Sequence, residues 1–520
     1  MRSREGLVAV LYALLAVLVV PVFPHFVSPN ELTRWALAAS VVERGTLEIS
    51  GVAALLGPSF EDVSEKDGRL YSNKAPGLAL VALPGYLMAR PFVGPPSPAS
   101  IRPTVYAMRL VGATLPALLL FFSFRWAASK LGGEAARVAP ASAMLFFGTP
   151  LFAYGLLLFS HALVAACLFG AWALLFVPGS ARRDRAQACA AGALLGLATV
   201  SEYPAAIPAA ILAVAAAAVR PRRLLAVALG ALPFAAGLLA YDRVCFGGFL
   251  ELSSGHERFG GFQALSSGGL FGIGVPSPGI LLRLLADPGK GLFVFSPFLL
   301  LVWRALPLMA RVLPRAATIA VVLVPASIVL TYAGYPNWHG GFTVGARYLV
   351  AALPFLVFPL VFRGGGRLEA GLAGASIAAV AITSLVFPFV PPGFALPWGS
   401  FAAPLLSRGL VAPNLLHIAG RPPALAVPAA VVAVAAVIAF GTKRLGPLAL
   451  GGILWAGAGL ALARLAPPGP AERLQRAYVE DVYFERRGAL EKALEGLPAQ
   501  PRLLARRERD LALPPASWPF

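Results

Sequence analysis

Residues 76–93 read PGLALVALPGYLMARPFV, and whether this stretch crosses a bilayer decides the sidedness of everything after it. It is apolar enough to be a span, but Pro76, Pro84, Pro91 and Arg90 interrupt it. A proline inside a helix removes a backbone hydrogen bond, and a spanning helix needs about 20 predominantly apolar residues. Counting the stretch as a span would place Arg125, Lys130 and Arg137 outside and invert every later loop. Cytoplasmic loops carry the excess of lysine and arginine. Residues 76–93 are therefore read as a juxtamembrane or half-inserted helix.

Working outward from it, apolar segments lie at 6–27, 104–124, 138–156, 162–178, 187–201, 204–219, 224–241, 291–310, 316–334, 346–362, 368–388, 424–441 and 445–463. The first is too long for a signal-peptide core and is read as a retained span. Short basic connections alternate with outer ones. They carry Arg2/Arg4, Arg125/Lys130/Arg137, Arg182/Arg183/Arg185, Arg220/Arg222/Arg223, Arg304/Arg311/Arg315, Arg363/Arg367 and Lys443/Arg444. The expectation is an all-α polytopic membrane protein of about thirteen transmembrane helices, N-terminus in and C-terminus out. Its transmembrane domain is 1–464, with outer loops at 28–103, 242–290 and 335–346. Residues 465–520 form a charged tail expected to be one amphipathic helix.

Composition agrees. Of 520 residues 58% are apolar and only 13% charged, and mean hydropathy is +0.76. A soluble domain has about 25% charged residues, so no water-soluble fold suits this chain. The net charge of +19 follows from the positive-inside bias and calls for no nucleic acid. Three cysteines support neither a disulfide framework nor a cysteine-based zinc site. Phosphate-loop, dinucleotide-binding and HExxH signatures are absent, which removes nucleotide hydrolysis, Rossmann and zincin chemistry.

The polar chemistry sits on the outer side. SPNELTRWALAASVVERGTLEI (28–49) places Glu31 and Arg34 about one helical turn apart, and EDVSEKDGRLYSNKAPG (61–77) brings Asp62, Tyr71 and Lys74 to the start of the half-inserted segment. YPNWHGGFTVGARYL (335–349) joins Trp338 and His339 to a glycine-rich turn and Arg347. An arginine fork binds oxyanions in a bidentate manner. The loop 242–290 adds His256 and ends at Lys290. Isolated groups at span ends, His161 and Glu202, are expected to be structural.

These motifs resemble the GT-C superfamily of integral-membrane glycosyltransferases, particularly its aminoarabinose transferase and protein O-mannosyltransferase branches, over about residues 1–360 by layout. Glu31-Leu32-Thr33-Arg34 is similar to an Asp-Glu-Thr-Arg stretch whose first acid is the family's proposed base. Tyr71-Ser72-Asn73-Lys74-Ala75-Pro76-Gly77 resembles a Tyr-Phe-x-Lys-Pro-Pro stretch whose lysine contacts the carrier-lipid phosphate. Trp338-His339-Gly340-Gly341 with Gly345-Ala346-Arg347-Tyr348 resembles a Trp-x-Gly-Gly…Gly-x-Arg motif of bacterial members.

The resemblance implies an inverting transferase of the bacterial cytoplasmic membrane, working at its outer face. Its donor would be a polyprenyl-phosphate sugar and its acceptor a lipid, glycan or protein. Glu31 would be the catalytic base, with Asp62 the alternative. Arg34, Lys74, Arg347 and Lys290 would bind the donor phosphate, and Tyr71, Trp338, His339 and His256 would contact sugar or acceptor. The resemblance makes no cofactor certain. Asn73 stands where some relatives have an acid near a metal, so a divalent metal lacks support. The competing readings are a transporter or flippase of a lipid-linked solute and a non-catalytic assembly protein on the same fold.

Overall fold

The computed structural model describes residues 2–25, 28–56, 60–178, 184–269, 272–442, 444–498 and 500–512. Arg182, Arg183 and Lys443 of the basic connections, and the side chains of Arg2 and Arg4, lie outside the described residues. Among the described residues the apolar segments named above are largely helical. In order the chain forms α1 (Arg2–Val19), α2 (Pro29–Arg44), a hairpin of β1 (Val63–Lys66) and β2 (Arg69–Ser72), and α3 (Gly77–Val93). Then come α4 (Ile101–Lys130), α5 (Ala135–Phe147), α6 (His161–Phe176), α7 (Asp184–Ser201), α8 (Ala206–Val219) and α9 (Arg222–Phe246). After a long connection follow α10 (Arg315–Ala333), α11 (Arg367–Val386), α12 (Ala426–Thr442) and α13 (Leu445–Leu465). Among the described residues, α4, α9, α10, α11 and α13 are long and apolar enough to cross a membrane.

The basic connections gather at one end. The Glu134 amide donates to the Val361 carbonyl at 2.8 Å, and Arg137 reaches the Arg363 carbonyl at 2.7 Å while pairing with buried Glu369. Arg223 pairs with Asp184 across two other basic connections. The opposite ends of α6, α7 and α10 bring His161, Glu202 and Tyr332 together. Charge segregation along the chain has become segregation in space.

α3 runs alongside α2, with Arg90 on Glu43 at 3.0 Å. It turns back onto the first part of α4, where Gly85 touches the Ala107 backbone and Gly112 faces Ala82. Its start lies level with the middle of α4. Leu80, Leu87, Met88 and Phe92 remain exposed.

Helices that present little buried surface hold on through glycine. A methyl at Gly374 of α11 would stand 1.9 Å from the Leu448 carbonyl oxygen of α13, closer than any real contact. Small residues let helix backbones approach where burial from water supplies no drive. Gly374→Ala is expected to cost about 1–3 kcal/mol, the usual range for overpacking. Gly446→Ala on α13, where nothing lies within 4 Å, is the control. Thermal unfolding in detergent would separate them, and equal melting temperatures would show that this crossing is loose.

The structure adds one element that the sequence reading did not name, and it corrects one expectation. Residues 63–72 form a two-stranded hairpin, turned by Asp67 and Gly68 at φ 51° and 75°. Paired positive φ values match the twist of the strands. Among the described residues the tail, expected to be one amphipathic helix, forms three short helices, α14 (Pro470–Tyr483), α15 (Ala489–Leu494) and α16 (Pro501–Ala512). Left-handed Glu485 and Gly488, at φ 54° and 85°, end the first of them. Asp481 is buried against Arg507, and Tyr483 packs on Phe23 and Phe387.

Candidate functional site

At the end opposite the basic connections lies a polar cavity of about 210 Å³. Arg34, Lys74 and Arg347, from three distant parts of the chain, all stand on its wall. Arg34 is buried on the first turns of α2, held by the Asn30 carbonyl at 2.8 Å and by the Asn30 side chain, with its Nε unpartnered. Burial lowers its pKa to about 10. Lys74 follows β2 and lies 3.4 Å from Asp62 Oδ1. Arg347 follows the turn that Gly340, Gly341 and Gly345 make with φ 68°, 76° and 62°. Glycine alone takes such angles freely. The Arg347 guanidinium lies 4.7 Å from the Tyr348 ring centre and 5.5 Å from that of Phe159, and its Nε is unpartnered.

Glu202 and His161, expected to be structural, both line this cavity. Glu202 accepts hydrogen bonds from Tyr332 Oη at 2.6 Å and Ser160 Oγ at 3.3 Å and lies 3.1 Å from His161 Nδ1. Burial alone would raise the Glu202 pKa, but His161, Tyr332 and Arg347 outweigh it and hold it at about 2. Tyr348 stacks on Tyr332 with ring centres 4.5 Å apart. Single residues at span ends carried no spacing signal; their convergence is tertiary.

A second polar group comes from the loop 242–290. Glu257 bridges Ser64 of β1, and the Arg258 amide donates to the Val63 carbonyl at 3.0 Å. Asn73 Nδ2 donates to Glu257 Oε2 at 2.9 Å and lies 3.4 Å from Asp62 Oδ1. Burial pushes the Glu257 pKa up to about 7, with Lys74 and Asn73 pulling it down and Asp62 pushing it up. Among the described residues no three His, Cys, Asp or Glu side chains could hold a metal ion.

The structure places the other expected residues away from this wall. Glu31 faces Arg109 on α4 rather than Arg34, with Nε at 2.8 Å and Nη2 at 2.7 Å, and it also accepts the Leu158 amide at 2.7 Å. A π-helical turn, Leu110–Thr114, follows Arg109. Lys290 is buried and gives its ammonium to the carbonyls of Gly341, Thr343 and Val390 and to the Thr343 hydroxyl. It fastens the glycine-rich turn from behind. Tyr71 and His256 both contact Phe246, His256 stacked on it at 4.9 Å. Trp338 lies under Arg283, and His339 Nδ1 accepts the Gly341 amide.

Below the cavity, Glu202, Pro204, Tyr332 and Tyr348 also border a narrow space with Pro208 and Ile328. A separate apolar groove of about 670 Å³, which shares no lining residue with either, opens between α8 and α10, walled by alanine, isoleucine, valine and leucine.

No family model matches the sequence, and no curated protein matches it. Solved structures do. ArnT from Cupriavidus metallidurans in the apo state is 16% identical, with 97% of this chain and 87% of that one covered and a TM-score of 0.51. The same protein bound to undecaprenyl phosphate is 15% identical, covering 96% and 88%, at 0.49. The oligosaccharyltransferase of Archaeoglobus fulgidus is 14% identical, covering 99% and 61%, at 0.39. ArnT is a membrane glycosyltransferase of the GT-C superfamily, and this chain shares its fold.

Proposed function

We propose that the protein is a glycosyltransferase that moves a sugar from a polyprenyl-phosphate donor to an acceptor, with inversion at the anomeric carbon. The observation that carries this reading is the meeting of Arg34, Lys74 and Arg347 on one cavity wall. The phosphate would sit among the three cations and the isoprenoid chain in the groove between α8 and α10. As the glycosidic bond breaks, charge grows on the leaving phosphate, and fixed cations hold the product more tightly than the donor. Glu202 keeps Tyr332 and His161 oriented beside that site. We assign Glu31 to positioning: its contacts with Arg109 and Leu158 fix the start of α2, and thereby Arg34. Lys290 does the same for the turn before Arg347.

The same reading sets the chain in a bacterial cytoplasmic membrane with thirteen spans, the cavity outside, the N-terminus in and the C-terminus out. Residues 1–464 form the membrane domain and 465–520 an outer tail. In a background with Cys189 replaced, His256→Cys should label with an impermeant maleimide added outside, and Arg222→Cys should not. The reverse pattern would overturn the topology.

The function is tested with purified protein given undecaprenyl phosphate carrying glucose, mannose, galactose or arabinose, plus a crude envelope extract as acceptor. Free undecaprenyl phosphate should appear. Binding of undecaprenyl phosphate without any release would favour the transporter or assembly-protein reading.

A further inference from the structure

We infer that Glu257, from the loop between α9 and Lys290, is the catalytic base that takes the acceptor's proton. This rests on the transfer reading above and goes beyond it, since nothing in the sequence motifs points to this residue. Five carboxylates lie on or near the cavity, and geometry separates them. Asp242, beside Tyr203, is buried and does not reach the wall. Glu31 is behind the wall, with both oxygens on Arg109. Glu202 is surrounded by Tyr332, His161 and Ser160, and an acid held at about 2 is a weak base. Asp62 is off the wall, with Oδ1 shared between Lys74 and Asn73. Glu257 lies on the wall itself. Asn73 holds its Oε2, and among the described residues Oε1 has neither an ion pair nor a hydrogen bond.

The backbone explains why this acid belongs beside the phosphate site. The hairpin that delivers Lys74 also anchors Glu257. Ser64 of β1 bridges Glu257, the Ser64 hydroxyl donates to the Ser253 carbonyl at 2.7 Å, and the Ser253 hydroxyl donates to the Asn73 carbonyl at 3.2 Å. A cation for the leaving group and a carboxylate for the nucleophile are thus fixed by one small β unit. The charged and titratable groups facing Glu257 are Lys74 and Asp62 beyond the hairpin and Tyr335 after α10. On its own segment, His256 is turned to Glu251 and Arg258 to Glu65.

The step balances. The acceptor O–H proton passes to the Glu257 carboxylate, and the acceptor oxygen forms its bond to the anomeric carbon. The bond from that carbon to the phosphate oxygen breaks, and its electron pair leaves on the phosphate monoester among Arg34, Lys74 and Arg347. A base whose affinity for protons lies near the working pH is the most effective. Burial has brought Glu257 to that range, about 7.

Glu257→Gln keeps the acceptor atom for Asn73 and removes the base. It should lower turnover of the lipid-linked sugars by about 10²–10⁴-fold, the scale of general acid–base catalysis. Affinity for undecaprenyl phosphate should stay at the wild-type value. Wild-type kcat/KM should rise with pH up to about 7 as the carboxyl loses its proton, whereas Glu257→Gln should show no such rise. Glu257→Asp should restore part of the rate together with its pH dependence. Two results would overturn the assignment: Glu257→Gln turnover within a few-fold of wild type, or loss of the pH rise in Asp62→Asn while Glu257→Gln keeps it. Failure of the wild-type protein to bind undecaprenyl phosphate is the separate result that sinks the phosphate site.

Discussion

Glu31→Gln should destabilise the folded protein by about 3–5 kcal/mol, the cost of breaking a buried ion pair from one side. The Glu31 and Arg109 side chains are 4% and 8% exposed, so neither can turn to water when the other is lost. With glutamine in place, Arg109 would keep its full charge and its contact with the Pro21 carbonyl, but no counter-charge. The Leu158 amide would lose a carboxylate partner as well. Arg109→Met should be about as harmful by itself, because it strands Glu31. The double variant should recover most of the loss, since removing both charges also removes the desolvation they cost. Melting temperatures of the four proteins in one detergent provide the cycle. A Glu31→Gln protein that melts like wild type but turns over slowly would return the base to Glu31.

For Arg347→Lys, affinity for undecaprenyl phosphate should fall by about 10–100-fold. Hydrogen bonds to charged groups are worth about 1.5–3 kcal/mol, and every 1.4 kcal/mol is a factor of ten. Lysine preserves the charge and loses the geometry. It cannot lie flat against Phe159 and Tyr348, and it offers no planar pair of donors to two phosphate oxygens. Nη2 is turned to the Tyr348 hydroxyl at 2.9 Å, and the buried Nε has no protein partner. Equilibrium binding of undecaprenyl phosphate to the two proteins is the measurement. Unchanged affinity in Arg347→Lys would make Arg347 a membrane anchor.

Much of this was legible in the chain because membrane proteins write their layout in one dimension. A run of apolar residues becomes a helix wherever it lies, and the basic connections are separated by complete segments, so they meet at one end. The three wall cations were legible for a related reason: each adjoins a span or a turn, and all fall on the same side. What spacing could not show were the partners. Glu31 and Arg34 share a helical turn, yet Glu31 is paired with a residue 78 positions away. Asn73 and Glu257 are 184 positions apart and meet through the hairpin. That hairpin did have a local sign, Asp67-Gly68 between short alternating segments, which a search for juxtamembrane helices passes over. Lys290 looked like a phosphate ligand by position alone, but the carbonyls around it come from two other loops.

The packing of Phe23 against Tyr483 and Phe484, with ring centres 6.3 and 5.8 Å apart, bears on how the protein is made. Phe23 is made 460 positions before Tyr483 and 461 before Phe484. A chain that stalls before α14 would therefore leave the aromatic cluster at Phe23 and Phe387 without the rings that cover it. Closure of the cluster beside the first helix waits on the tail.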